Sequence, residues 1–317
     1  MTDLQPAVQT VVEQCLAVQP REEVVVVVDP GTREIGEALR AAAAGAGAEA
    51  VLVVMEAREA DGNEPPAAVA GALAAAQVFI APTSKSLSHT RARKAATENG
   101  ARGATLPGVT ADMLARLMAC DFAAVQRRSR GLARLLTDAS EAHLTCPLGS
   151  DFRLDLSGRE GIADDGDLTG GDRAFGNLPC GEGFIAPLGG EGRIFVRSLA
   201  GIGLVAGEPA ELVVEGGRLA QARGPEGEQL LAALRGAGEQ GTNLAELGIG
   251  TNERATLTGN ILEDEKMLGT VHVAFGASAG IGGTVSVPIH LDTLVTDATL
   301  DIGGTRVLDA GTLVFEG

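Results

Sequence analysis

Short continuous apolar runs alternate with stretches of helical period over roughly the first 140 residues. Glu23–Val28 is a nearly unbroken valine run closed by Asp29-Pro30-Gly31. A run of this kind, bounded by turn residues, predicts a strand buried on both faces. Thr32 can cap a helix to about Ala44, where Gly45 offers a stop. Similar runs predict strands at Ala50–Glu56, Val78–Ala81 and Gly103–Leu106. Between them, helices are predicted over Pro65–Ala76, from Thr90 to about Asn99, and onward from Thr110. Doubly buried strands between helices pair in parallel, so this half reads as a small doubly wound α/β domain.

The period changes near residue 140. Alternating segments at Phe152–Leu156, Arg193–Val196, Glu211–Val214, Thr270–Phe275, Ser286–Asp292 and Thr299–Ile302 predict strands between Gly-rich turns. Glu226–Ala237 is the one clear helix there. This half is expected to be a mostly antiparallel sheet or a partly closed barrel. The expected domains are therefore an α/β domain over 1–140 and a β-rich domain over 141–317. No tandem repeat or long low-complexity linker interrupts them.

Composition narrows the function classes. Hydrophobic residues make up 45% of the 317, but there are only eight Phe and no Trp or Tyr. The core must be built from Val, Leu, Ile and Ala, and an aromatic platform for stacking bases is not expected. A net charge of −17 repels phosphate backbones, so nucleic acid is not an expected partner. The acidic N-terminal stretch lacks the pattern of a signal peptide, and no apolar run reaches the ~20 residues of a membrane span. Cys15, Cys120, Cys146 and Cys180 are widely spaced, as expected for free thiols in the cytoplasm.

Candidate chemistry lies in the second half. Alternation in Thr270–Phe275 puts His272 on the face opposite Val271, Val273 and Phe275. Likewise His290 and Asp292 project together, one pleat apart. An imidazole and a carboxylate so spaced can share an ion, or one can orient the other. Glu182 sits in a turn between Gly181 and Gly183, and Glu246 sits inside an apolar run. A lone acid among Leu, Ala and Ile is costly to bury unless paired or metal-bound.

The segments NLPCGEGFIAP (177–187), ELGIGTN (246–252), EDEKMLGTVHVAFG (263–276) and HLD (290–292) resemble, in order, the signatures of the aminopeptidase T/aminopeptidase S (M29-type) metallopeptidases. That resemblance implies metal ligands at Glu182, Glu246, His272, His290 and Asp292. Such mixed donors suit Zn, Mn, Co or Fe(II) better than Ca. Five ligands suit two ions roughly 3.5–4 Å apart. The implied activity is hydrolysis of an N-terminal peptide or small amide bond by a metal-bound hydroxide, on a small-molecule or short-peptide substrate. The family also implies a homodimer.

One family feature is missing. The tyrosine expected after the first histidine falls at or near Ala279, and the chain has no tyrosine. The chain is also similar to the 2,5-dihydroxypyridine 5,6-dioxygenase branch of the same fold group. That resemblance implies one Fe(II) on His272, His290 and Asp292, with His89 as a catalytic histidine from the first domain. A third possibility is a metal-binding homologue without turnover. Glu263, Glu265 and Lys266 lie just before the His272 strand. They are read as a solvated charge cluster; the alternative makes Glu263 and Glu265 acids that support the ligands or a catalytic base, with Glu265 the candidate. Asp164, Asp165 and Asp167 are read as an acidic loop, because they lack the full calcium-loop spacing.

Overall fold

The computed structural model describes residues 2–171 and 174–316. Two compact units divide the chain: Met1–Cys120 with Gly166–Cys180, and Asp121–Asp165 with Gly181–Gly317.

In the first unit, α1 (Gln5–Gln9) runs into a π-helical turn at Thr10–Cys15. There follow β1 (Glu23–Val28), α2 (Arg33–Gly45), β2 (Glu49–Val54), α3 (Ala67–Ala75), β3 (Val78–Ala81), α4 (Arg91–Glu98), β4 (Arg102–Thr105) and α5 (Ala111–Leu117). These elements sit within a residue or two of their predicted positions. The sheet is fully parallel, in the order β2-β1-β3-β4-β8, where β8 is Phe175–Asn177. The chain steps to one side of β1 and then returns to the other, which makes the unit doubly wound. Thr90 and Thr110 cap their helices by accepting from the backbone N–H of Arg93 and Met113. Thr32 does not cap α2; its hydroxyl donates instead to the Pro82 carbonyl at 2.5 Å.

The second unit is built from α6 (Phe122–Asp138), α7 (Pro225–Gly236), the short α8 (Ile261–Asp264) and two antiparallel sheets. One sheet joins β5 (Glu141–Thr145), β6 (Asp151–Asp155), β10 (Gly189–Val196), β13 (Ala210–Glu215), β14 (Arg218–Arg223), β18 (Thr299–Ile302), β19 (Thr305–Asp309) and β20 (Thr312–Leu313). The other runs in the order β12 (Gly203–Leu204), β11 (Ser198–Leu199), β17 (His290–Val295), β16 (Val271–Gly276), β15 (Leu244–Gly250), β9 (Glu182–Ile185) and β7 (Gly161–Asp164). The expected antiparallel class is thus met by two sheets sharing one core, to which Leu144, Phe152, Ile194, Leu247, Val273 and Phe275 all contribute.

The units differ from a single cut at 140 for two local reasons. Parallel pairing of β8 with β4 ties 166–180 to the first unit. Within the second, glycines let α6 lie close on β7 and β9. A Cβ at Gly183 would stand 2.6 Å from Leu132 Cβ, and one at Gly161 2.3 Å from the Ala133 carbonyl oxygen. The strand expected at Ser286–Asp292 begins only at His290 and continues to Val295. Pro288 has no N–H to donate to a ladder, so pairing starts after it, with Gly276 opposite His290. No described helix is long and apolar enough to cross a membrane. The four cysteines are free thiols.

Candidate metal centre

The seven-stranded sheet carries the centre on one face. Pairing sets Gly248 of β15 opposite His272 of β16, and His272 opposite Leu294 of β17. Directly opposed residues share a face, as do residues two apart on one strand. Glu246, His272, His290 and Asp292 therefore project together. On β9, Glu182 pairs with Gly250 and, on its other side, with Asp164 of β7. Five adjacent strands thus send acids and imidazoles to one side. Val271, Val273, Phe275, Leu247, Ile249 and Ile185 fill the core on the other.

Small residues make the room. An added Cβ at Gly248 would stand 2.0 Å from His272 Nε2. Ala274 and Gly276 stand opposite Asp292 and His290. The imidazoles can then reach the carboxylates. His272 Nε2 is 3.1 Å from Glu182 Oε2 and 3.4 Å from Glu246 Oε1. His290 Nε2 is 3.2 Å from Glu246 Oε2 and 3.5 Å from Asp292 Oδ1. Two trios result, Glu182–Glu246–His272 and Glu246–His290–Asp292, each with ligand atoms within 4.8 Å of one another. All five residues anticipated as ligands meet, with Glu246 common to both trios.

The electrostatics are those of a site that attracts cations. Burial alone would lower both imidazoles. The neighbouring carboxylates override it, raising His272 and His290 well above the ordinary histidine value. Burial pushes the Glu246 carboxyl up, but hydrogen bonds and charges of His272 and His290 bring it below the usual range. A divalent ion would compete with those protons for the same nitrogen and oxygen atoms. Glu182 Oε2 and Asp164 Oδ2 are buried with the ion pairs to His272 and Lys266 as their partners, and His272 Nδ1 makes no hydrogen bond. Buried acids that share so few cations are costly, and a further cation would offset that cost. His290 Nδ1 donates to the Ala277 carbonyl at 2.7 Å, which turns Nε2 toward Glu246 and Asp292.

Two readings from the sequence need correction. The Glu263–Lys266 run is not solvated: Glu263 is 1% exposed, Asp264 0%, Glu265 9% and Lys266 1%. Glu263 accepts from the Thr256 N–H and hydroxyl, and Asp264 from Thr258, Gly259 and the Ser198 hydroxyl. These two acids organise the loop that carries Glu265 and Lys266. Asp164 and Asp165 are likewise more than a surface loop. Asp165 is buried against Arg130, and Asp164 ends β7 beside Lys266. Burial raises the Asp164 carboxyl to about 7 and the Glu265 carboxyl to about 8, against the pull of Lys266 in both cases.

Lys266 belongs to the run that the sequence reads as solvated, and its burial among acids is the main feature of the site that this reading missed. Its signal was present: a cation inside an acidic run immediately before a strand bearing histidine. His89 lies exposed in the turn before α4 and belongs to the first unit.

Fold and site define a class: a two-unit protein, α/β followed by paired antiparallel sheets, with an imidazole–carboxylate cluster on one sheet face. The profile described as "NicX: 2,5-dihydroxypyridine 5,6-dioxygenase" matches residues 3–315, and the chain belongs to this enzyme family. The 2,5-dihydroxypyridine dioxygenase of Pseudomonas putida KT2440 superposes with a TM-score of 0.82 at 20% identity, covering 98% of this chain and 96% of that one. Wild-type AmpT of Thermus thermophilus superposes at 0.72, also at 20% identity, covering 98% and 99%. Identity that low establishes a shared fold, and the resemblance to aminopeptidase T is of that kind. No curated protein matches.

Proposed function

We propose that this protein is an Fe(II)-dependent dioxygenase that opens a small hydroxylated ring, with dihydroxypyridines as the substrate class. The supporting observation is the family match across residues 3–315. The donor set fits iron: two imidazoles and an aspartate are the set non-haem Fe(II) prefers. His272, His290 and Asp292 would hold the ion, with Glu246 directing one oxygen at each imidazole. Iron there would supply the one-electron chemistry with dioxygen that side chains lack.

The surrounding residues set orientation and protons. The Ala277 carbonyl fixes the His290 ring. Gly248 leaves space for the His272 ring. Glu265 holds a proton near neutrality in the metal-free protein, since burial pushes its carboxyl up to about 8. On family resemblance, His89 is the candidate general base or oxyanion donor, so H89Q should keep metal and lose turnover.

A second reading, two-ion hydrolysis of an amide, is favoured by the sharing of Glu246 between two trios. One experiment separates the readings. The protein is loaded with Fe(II) without oxygen, and dioxygen is then admitted with 2,5-dihydroxypyridine. Uptake matched to substrate loss supports the dioxygenase. No uptake with any dihydroxypyridine, together with leucyl-anilide hydrolysis by the Zn, Mn or Co form, would replace it with the hydrolase. Failure of both activities in a metal-loaded protein would leave a binding homologue.

A further inference from the structure

The cluster holds more carboxylates than one ion needs, and a buried cation already stands among them. Lys266 Nζ lies 2.5 Å from Glu182 Oε1, 2.9 Å from Glu265 Oε1 and 3.2 Å from Asp164 Oδ2. The side chain is 1% exposed. An ammonium group is taken out of water only at high cost, and paired carboxylates are what offset it. The position is fixed by the backbone: the Lys266 N–H donates to the Glu263 carbonyl, and the Lys266 carbonyl accepts from Asn252. The loop is locked in turn by the buried Asp264 carboxylate.

Two of the three Lys266 contacts, Glu182 of β9 and Asp164 of β7, lie on the strands farthest from β17. Glu182 divides its oxygens between Lys266, through Oε1, and His272, through Oε2. An ion in the Glu182–Glu246–His272 trio would therefore share a carboxylate with an ammonium group. Both cations would be buried, where like charges repel far more than in water. The ion pairs of His290 run instead to Glu246 and Asp292.

We propose that Lys266 sets the metal stoichiometry of this centre. Its ammonium group stands on Glu182 where a second divalent cation would, and confines binding to a single ion held from the His290–Asp292 side. This explains why Glu182 is present in a one-ion site: it is the counter-ion of Lys266. The inference rests on the one-iron reading above, and its test separates the two.

Wild-type protein, K266R and K266M are saturated with Mn(II), freed of excess by gel filtration, and compared by elemental analysis and by electron paramagnetic resonance. The wild type and K266R are expected to hold a single ion, because both keep the charge. K266M is expected to double its metal content and to show the exchange-coupled signal of neighbouring ions. A folded K266M that still holds a single uncoupled ion overturns the role of Lys266 and leaves the one-ion reading standing. A wild-type protein with coupled ions overturns both, without recourse to any variant. If K266M fails to fold, E182Q carries the test. It should keep its single ion, whereas loss of that ion makes Glu182 a ligand and overturns the inference.

Discussion

The two units both bury polar clusters, and they treat them differently. At the carboxyl end of β1 in the first unit, Asp29 is 1% exposed. Its oxygens accept from the Gly31 N–H at 3.0 Å, the Ser84 N–H at 2.6 Å and the Ser84 hydroxyl at 2.8 Å. Nearby, Ser88 in the turn before α4, Thr105 of β4 and Asn177 of β8 bond to one another at 2.6–3.1 Å. In the second unit, the cluster on the seven-stranded sheet gathers Asp164, Glu182, Glu246, Glu265 and Asp292 around Lys266, His272 and His290. A satisfied cluster stabilises a turn. A cluster in which buried acids outnumber their cations gains stability when a further cation joins it. The comparison therefore marks the second cluster as the functional one before any relative is consulted.

Removing an imidazole should have the largest effect. H272A and H290A are each expected to lose metal affinity by more than the ~10–100-fold typical of an outer-shell partner. Equilibrium dialysis against Mn(II) measures it, and retained affinity in both would end the assignment of this face as the centre. Next is G248A. The new Cβ would overlap His272 Nε2, Cε1 and Cδ2, so the imidazole ring itself must move. Metal affinity is expected to fall roughly 10–100-fold as the ring is displaced. Circular dichroism should show the fold retained.

The third outcome concerns pH. In the metal-free protein, Glu265 is raised from 4.5 to about 8 and Asp164 from 3.8 to about 7. Between those limits the folded state keeps protons that the unfolded chain has released, so stability falls as pH rises from about 5 to 8. The raised imidazoles act in the same direction above their unfolded value of 6.5. Melting temperatures of chelator-treated protein should decline across this interval. Metal-loaded protein should show the opposite slope, since a cation prefers deprotonated ligands. The smallest effect on the centre belongs to the other unit. D29A should cost about 1–3 kcal/mol in urea unfolding, the loss of a satisfied buried acceptor. Its metal content should be unchanged. A fall in metal content would show that the two clusters are not independent.

Much of this was legible from local pattern. The valine run of β1 and the helix starts after Thr90 and Thr110 come from short-range chemistry, and the structure places them where the sequence does, whereas the cap expected at Thr32 is not made. Alternation assigned His272 to the face away from Val271 and Val273, and the sheet confirms that side. The errors arose where a residue's partner is distant in the chain. Glu182 opens a strand, contrary to its reading as a turn residue, because β9 finds β7 and β15 on either side. The Glu263–Lys266 run looks solvated in sequence, but its partners are Ser198, Thr256, Thr258, Glu182 and Asp164.

By itself, the sequence determined the alternation of buried and polar positions, and with it the element types and the face on which each histidine would stand. It also determined the presence of five candidate donors in a fixed order. Only the tertiary structure decided that Glu246 would stand between two imidazoles and that a lysine would be buried among three acids. Side-chain direction follows from the dihedral period of one strand. Which charges meet, and whether they are screened by water or left bare, depends on strands brought together from opposite ends of the unit.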